Sequence, residues 1–332
     1  MNFINFTAGN DDEGRRLDRV IRKFISEESL SLLYKSLRKG FIKIDGKKCT
    51  GNYRITSGNN IQIADFLLTG KNTELSETEI NAVSKKLISD LKKITVLKTN
   101  ELLFINKPYD YTVQPVNTND ERSLSILVQR EYELTHSNNS LSFKTGPLHR
   151  LDRKTTGILT FSQNLEGAKY FSQAIKLHKI QKYYIAILQG KLEEKQIWQD
   201  IITKNENQSS NFHTVSVNQE DGKESYTEVT PVSHGLYKGT EVTLAIFFIK
   251  TGRTHQIRSQ SSFHGFPLLG DTAYNGRKIN SLETGRDFFL HAYKLKFPEN
   301  NPFNLPEEIS SPLDKDFLKM IETSEFPAYT LL

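Results

Sequence analysis

Residues 149–157 read HRLDRKTTG and run directly into the apolar stretch GILTF at residues 157–161. One acid, Asp152, stands here among four basic or potentially basic side chains. A carboxylate flanked by cations stays ionised and is held in place by charge-assisted hydrogen bonds. Such a group suits a nucleophile or a general base. The same residues are equally compatible with a structural cluster of ion pairs.

A second polar segment, TGRTHQIR at residues 251–258, follows the apolar stretch 241–249. Its two arginines, Arg253 and Arg258, are suited to bidentate pairing with a carboxylate or a phosphate. The segment is therefore a candidate for the partner of Asp152, for a contact to an RNA backbone, or for both.

The short segment KYYIA at residues 182–186 has the pattern of a strand. Because alternate residues of a strand face opposite sides, Lys182 and Tyr184 share one face and Tyr183 lies on the other. An aromatic side chain that faces a cleft can stack on a nucleic-acid base. Without further context, a core or surface tyrosine is the more common reading of such a residue.

Hydrophobic patterning predicts a sheet-rich α+β domain over residues 96–332. Strands are expected at residues 102–105, 157–161, 183–188, 241–249 and 290–297, with a helix at 165–175.

Residues 1–65 are predicted to form a separate small α+β unit. Helical stripes of apolar residues at 17–25 and 30–37 precede alternating strand patterns, with a tight turn at Asp45-Gly46. Residues 66–95 are expected to be a polar linker that contains one amphipathic helix, on Ile80, Val83, Leu87 and Leu91.

The positive charge of the chain is concentrated in this first unit. The net charge is +5 overall, but residues 15–65 alone hold 12 Lys and Arg against 5 Asp and Glu. A solvated charged face is the ordinary reading of such a run, but here phosphate binding is favoured. The cations that cluster at the predicted helix-to-strand corner are Arg38, Lys39, Lys43, Lys47 and Lys48.

Composition excludes several classes of protein. The single cysteine, Cys49, permits neither a disulfide within the chain nor a zinc site built on cysteines. The longest apolar run, residues 244–249, is far too short to span a membrane, and the N-terminus does not have the pattern of a signal peptide. A cytoplasmic location without membrane association is therefore expected.

Five motifs in order resemble those of the RluA-type pseudouridine synthases, which act on ribosomal and transfer RNA. The matching segments are HRLDxxTxG at 149–157, KxYxA at 182–186, TGRTHQIR at 251–258, GDxxY at 270–274 and LHA at 290–292. Residues 1–65 resemble the small RNA-binding domain of the ribosomal protein S-four type. The chain departs from the family pattern at Lys154, Thr156 and Gln260, and at Asp110, where a glycine is usual.

The resemblance implies a mixed, mostly antiparallel sheet flanked by helices and an active site built around Asp152. It makes Asp152 the catalytic residue, with Arg258 as its partner and Tyr184 packed against the target base. Arg150 would help to fill the space that the base leaves in the RNA stack.

The remaining motif residues receive lesser roles. Ile257 and Leu151 are expected to form apolar walls of the pocket. RNA contacts or the positioning of loops are expected from His149, Arg253 and His255.

The implied reaction isomerises uridine to pseudouridine and needs neither a cofactor nor a metal ion. Large-subunit ribosomal RNA is the favoured substrate and transfer RNA the alternative, and a monomer is expected. Two other readings remain: a non-catalytic RNA-binding or ribosome-assembly factor, and a metal-dependent nuclease or hydrolase. The nuclease would need several converging carboxylates or histidines, and the sequence shows no such set near the motifs.

Overall fold

The architecture comes from a computed structural model of the whole chain. It describes residues 1–22, 25, 30–68, 89–115, 123–135, 140–204, 214–217 and 222–327.

The first 68 residues form a small unit with its own apolar core. Its helices are α1 (Leu17–Ile21) and α2 (Leu30–Lys39), and its strands are β1 (Phe3–Thr7), β2 (Ile42–Ile44), β3 (Lys47–Lys48) and β4 (Asn60–Ala64). The strands pair in the antiparallel order β1-β4-β2-β3. The predicted turn is confirmed: Asp45 and Gly46 both have positive φ, 48° and 78°, as a two-residue hairpin turn requires.

The rest of the described chain is organised around one large sheet. Its strands are β5 (Thr95–Lys98), β6 (Leu102–Lys107), β7 (Thr156–Ser162), β8 (Gln181–Gln189), β9 (Gln196–Lys204), β10 (Val215–Val217), β11 (Lys223–Tyr237), β12 (Thr240–Ile249), β13 (Leu290–Lys296) and β14 (Glu308–Ser310). They follow the order β10-β9-β11-β12-β8-β13-β7-β6-β5, with β14 paired to β13. Among these described strands only β13 and β7 run parallel. The mixed, mostly antiparallel sheet expected from the resemblance is therefore confirmed.

Helices cover both faces of this sheet. They are α3 (Leu124–Thr135), α4 (Leu165–Lys176), α5 (Gln256–Phe263), α6 (Ser281–Thr284) and α7 (Lys315–Thr323). Short 3-10 turns lie at Asn10–Asp12, Asp65–Leu67 and Thr272–Tyr274. None of the described helices is both long enough and apolar enough to cross a membrane.

Strand β8 shows how the sheet divides its core. Tyr184 and Ala186 pack into the same apolar cluster as Leu124 and Val128 of α3, whereas Ile185 and Ile187 pack with Phe317 of α7. Tyr183 lies on the α7 side and Tyr184 on the α3 side, so the predicted alternation of this segment is confirmed.

All five predicted strands of the large sheet are present, and so is the helix at 165–175. Strands β1, β5, β9, β10, β11 and β14 and helices α3, α5, α6 and α7 were not predicted. The amphipathic helix predicted within the linker lies mostly outside the described residues, since Ile80, Val83 and Leu87 are not among them. Leu91 is described and is buried in the main core.

The small unit is joined to the large one by a buried carboxylate. Asp12 has no exposed surface, and its oxygens accept hydrogen bonds from the backbone N–H groups of Leu141 and Ser142 at 2.9 Å each. Asp11 accepts from the N–H of Leu165 at 3.1 Å, at the start of α4. The two units therefore meet in a polar contact that has buried hydrogen bonds.

Candidate active site

Asp152 lies in the loop that leads into β7, and that loop is fixed by a close backbone contact. The N–H of Thr155 donates to the carbonyl of Asp152 at 3.0 Å, which closes a turn. Two residues later, Gly157 has a φ of +107°, and a Cβ there would lie 2.2 Å from the carbonyl oxygen of Ala292 on β13. Only glycine permits this approach. The glycine that ends the 149–157 motif therefore lets β7 and β13 pair directly behind Asp152.

Two cationic or potentially cationic groups face the carboxylate of Asp152. Oδ2 lies 3.6 Å from Arg258 Nη1 and 3.7 Å from His255 Nε2, and the Asp152 side chain is 19% exposed. Both distances exceed that of a hydrogen bond. The carboxylate is thus held by charge while its oxygens stay available to a ligand.

The exposed side of Asp152 opens into a cleft of about 500 Å³, here called the Asp152 cleft. Its lining includes most of the sequence-predicted site residues, namely Arg150, Leu151, Asp152, Tyr184, Arg253, His255 and Ile257. Asp152 is the one carboxylate among the described residues that line it. Leu151, Ile257 and Tyr184 are each less than a tenth exposed, so the floor of the cleft is largely apolar.

Arg258 touches Asp152 from beneath the cleft but makes its hydrogen bonds elsewhere. Its Nε and Nη2 donate to the two carboxylate oxygens of Asp271 at 2.6 and 2.8 Å. Its guanidinium also lies 4.9 Å from the ring centre of Tyr274 and 4.6 Å from that of Phe288. The predicted partnership with Asp152 is therefore a charge contact, whereas the bidentate partner is Asp271.

The electrostatics of this buried pair keep the guanidinium charged. Burial opposes the charged form, but the hydrogen bonds and charge of Asp271 outweigh it and raise the pKa of Arg258. Asp271 is only 2% exposed, so the two groups depend on each other for a partner.

His255 adopts a left-handed backbone conformation, with φ +53°, at the residue before α5. Its Nδ1 lies 2.8 Å from the hydroxyl of Tyr274, and the same hydroxyl accepts from the N–H of Val215 at 2.9 Å. This arrangement favours a proton on Nε2, the nitrogen that faces Asp152. Burial lowers the pKa of His255, although Asp152 acts in the opposite direction, so the ring is mostly neutral near pH 7.

The 251–255 loop is shaped by the side chain of Gln256. Its Oε1 accepts from Thr251 Oγ1 at 2.8 Å and from the N–H of Arg253 at 3.0 Å. Its Nε2 donates to Tyr226 O at 3.1 Å and to Thr227 Oγ1 at 3.0 Å. A single buried amide thus ties the cleft loop to β11.

A buried lysine supports the loop that carries Asp152 from the other side. Lys107, at the end of β6, has no exposed surface and donates to the carbonyls of Pro108 at 2.9 Å and Arg153 at 2.7 Å. Burial lowers the pKa of Lys107 to about 7, although the charge of Asp152 acts in the opposite direction. Asp110, which replaces the usual glycine, has a φ of +64° and pairs with Arg153 at 2.8 Å.

The side chain of His149 makes its contacts with other residues of the protein. Its Nε2 accepts from the N–H of Thr160 at 3.1 Å, and its ring stacks on Phe171 of α4. Burial lowers the pKa of His149 to about 3. Of the two roles expected from the sequence, these contacts favour the positioning of loops over RNA contact.

The five cations predicted to bind phosphate all lie on the small unit, and none of them lines the Asp152 cleft. Arg38, Lys39, Lys47 and Lys48 are exposed, and Lys43 is half-buried, with its Nζ 4.6 Å from the ring centre of Phe3.

The sequence interpretation did not assign roles to Asp271, Tyr274, Gln256 or Lys107. The GDxxY and KP segments were visible as motifs, but the residue types alone did not say which groups they meet. Within the described part of the chain, no group of three or more His, Cys, Asp and Glu side chains is arranged to hold a metal ion.

Comparison with known families gives a consistent match. A family model described as RNA pseudouridylate synthase matches residues 101–263. The chain is 25% identical over 318 residues to "Ribosomal large subunit pseudouridine synthase C" of Vibrio vulnificus, covering 94% of each chain. It is 27% identical over 321 residues to the protein of the same name from Salmonella typhi, covering 94% of this chain and 93% of the relative.

Solved structures share the fold. "Human RNA Pseudouridylate Synthase Domain Containing 4" superposes with a TM-score of 0.57 at 18% sequence identity, covering 75% of this chain and 99% of the human one. At that level of identity the likeness concerns the fold alone.

Proposed function

Since a family model described as RNA pseudouridylate synthase matches residues 101–263 of this chain, we propose that it isomerises uridines of large-subunit ribosomal RNA, with Asp152 as the reacting group. One observation carries the proposal for Asp152: it is the single carboxylate among the described residues that line the cleft. The Arg258 guanidinium and the His255 ring both stand too far away to occupy its oxygens with hydrogen bonds.

The reaction breaks the bond between N1 of uracil and C1′ of the ribose and forms a bond between C5 and C1′. The proton on C5 is lost and N1 gains one, so no electron or group donor is consumed. Asp152 is placed to act on the sugar or the base as a nucleophile, or to remove a proton as a base. Arg258 and His255 would limit the cost of its negative charge in a partly buried site.

The target base must leave the RNA stack to reach Asp152, at a cost of a few kcal/mol. Tyr184, with Leu151 and Ile257, offers an apolar surface on which the base can lie. Burial raises the pKa of Tyr184 far above neutrality, so its hydroxyl stays protonated. Arg150 is exposed at the cleft and is placed to enter the space that the base vacates.

Ribosomal RNA is favoured as the substrate by two features. The Vibrio and Salmonella relatives are named for the large ribosomal subunit and match nearly the whole chain. The small unit, which resembles an S-four-type RNA-binding domain, presents four exposed cations and one half-buried cation. We propose that they bind RNA phosphates through Arg38, Lys39, Lys43, Lys47 and Lys48. The cytoplasmic location and the monomeric state stay predictions.

The substrate is tested by incubating the protein separately with protein-free large-subunit ribosomal RNA and with transfer RNA. Each RNA is then digested, and its pseudouridine is quantified by chromatography of the nucleosides. Pseudouridine formed in ribosomal RNA alone supports the proposal, and formation only in transfer RNA contradicts it.

The role of the small unit is tested by replacing Lys47 and Lys48 with glutamine. Point substitutions are preferred to deletion of residues 1–65, because deletion would expose the polar groups that Asp12 binds. Loss of both phosphate contacts should flatten the salt dependence of RNA affinity by roughly 0.7–0.9 per contact. An unchanged salt dependence would argue against these two cations.

A further inference from the structure

A second pocket, here called the Lys182 pocket, lies next to the Asp152 cleft and has no assigned function. It is open to solvent and is lined by Lys182, Lys250, Arg253, Arg150, His149 and His178, together with apolar residues. No Asp or Glu among the described residues lines it. The pocket is therefore built for an anion.

Lys182 is the unusual member of this set. It is 8% exposed, and its Nζ donates to the carbonyl of Thr251 at 3.2 Å. Within the described chain it has no carboxylate partner. A buried ammonium that lacks an opposite charge is costly, and Arg253 adds repulsion. These two effects lower the pKa of Lys182 to about 8, with burial the larger cause.

The absence of a side chain at residue 252 leaves space beside this amine. Gly252 belongs to the 251–255 loop, and a Cβ at that position would lie 3.5 Å from Lys182 Nζ. A methyl group there would contact the ammonium and narrow the access to it. His178 also lines the pocket, and its Nδ1–H donates to the carbonyl of Lys250 at 2.9 Å.

The pocket is continuous with the Asp152 cleft. Both spaces share Tyr184, Gly252, Arg253, Arg150 and Ile249 in their linings. A nucleotide whose base lies against Tyr184 in the cleft would carry its backbone past Arg253 into the neighbouring pocket.

We propose that the Lys182 pocket binds a phosphodiester group of the RNA beside the target uridine, with Lys182 and Arg253 as its cations. The inference rests on the proposed function, since it takes the ligand to be the RNA substrate. Without a ligand, the Lys182 ammonium has no negatively charged partner. A bound phosphodiester supplies one, so part of the binding free energy comes from pairing a buried charge that was unpaired before.

The experiment compares wild type with Lys182→Met and Gly252→Ala, and the probe is protein-free large-subunit ribosomal RNA. Filter binding is measured over a range of KCl concentrations. Lys182→Met should reduce the slope of log affinity against log salt by about 0.7–0.9 and weaken binding roughly 10-fold at low salt. Gly252→Ala should weaken binding in the same direction, because its methyl group contacts the ammonium and narrows the access to it.

Lys294→Met is the matched control. Lys294 is also largely buried, with its Nζ 5.3 Å from the ring of Tyr183 on the other face of β8, but it pairs with Glu308 at 3.1 Å. This variant should keep the wild-type salt slope. Thermal unfolding checks the fold, and Lys182→Met should melt at or above the wild-type temperature, because a buried charge has been removed.

A wild-type slope and affinity in Lys182→Met would overturn the inference. Filter binding needs no turnover, so its outcome does not depend on whether the protein isomerises uridine. If wild type forms pseudouridine and Lys182→Met keeps the wild-type salt slope, only the proposal that the Lys182 pocket binds RNA is refuted. A changed slope without pseudouridine formation would support the pocket and refute the reaction.

Discussion

The buried pair of Arg258 and Asp271 offers a quantitative test of how the site is organised. Asp271→Asn keeps the shape of the side chain but removes its charge. Asparagine accepts with one oxygen, and its NH₂ group would face an Arg258 N–H, so one of the two hydrogen bonds at 2.6 and 2.8 Å is lost. Breaking a buried ion pair costs about 3–5 kcal/mol.

The loss should fall at the lower end of that range, at about 3 kcal/mol, because one hydrogen bond and the charge of Asp152 remain. For 332 residues this corresponds to a fall in Tm of roughly 4 °C. Arg258 should also turn toward Asp152 and form a direct charge-assisted hydrogen bond with it. Such a bond is worth about 1.5–3 kcal/mol, so single-turnover isomerisation should slow roughly 10- to 100-fold.

Thermal unfolding followed by circular dichroism gives the first quantity, and a single-turnover assay on ribosomal RNA gives the second. Glu283→Gln is the control, since its ion pair with Lys238 lies at the surface, with both side chains more than half exposed. That change should cost less than about 1 kcal/mol and leave the rate unaltered. If Asp271→Asn melts with wild type and reacts at the wild-type rate, Asp271 does not organise the site.

Three other substitutions test separate parts of the account. Tyr274→Phe removes the hydroxyl that lies 2.8 Å from His255 Nδ1, so ¹⁵N NMR should show mixed imidazole tautomers, and an unchanged single tautomer would oppose this role. Gly157→Ala places a methyl group against Ala292 O and should lower the Tm far more than Gly14→Ala, where the space is open; equal effects would contradict the close approach. Lys107→Met tests the low pKa of this lysine. The unfolding free energy of wild type minus that of the variant should increase as pH rises from about 7 toward 10, because the unfolded chain keeps the lysine proton to higher pH than the folded chain does. A pH-independent difference in urea unfolding would refute the low pKa.

The sequence predicted structure correctly where that structure depends on residues that are close together in the chain. Strand β8 alternates because Tyr184 and Tyr183 must face two different cores, and its sequence carries that alternation. The 149–157 motif likewise predicted where the acid and its neighbouring arginines lie, since they are close in sequence.

The unpredicted part depends on long-range contacts. Asp271 is 13 residues from Arg258, and nothing local shows that it takes both of that residue's hydrogen bonds. Lys107 meets the carbonyl of Arg153 across 46 residues, through the pairing of β6 with β7. Helix α5 was missed because polar residues dominate it, and its buried face consists of Gln256, Arg258, Ser259 and Gln260 as well as Ile257.

For His149 the sequence left two roles open, RNA contact and the positioning of loops. The backbone turns between His149 and Asp152, so that Asp152 faces the cleft while His149 meets Thr160 and Phe171. Those contacts, which come from distant parts of the chain, favour the positioning role.

The central claim is that Asp152 performs uridine isomerisation in this cleft. The most direct measurement is tritium release from ribosomal RNA labelled at C5 of uridine, because formation of the C5–C1′ bond expels that hydrogen. Wild type should release tritium, and Asp152→Asn should fold normally, bind the RNA and release none. Equal release by the two proteins would show that another group does the chemistry.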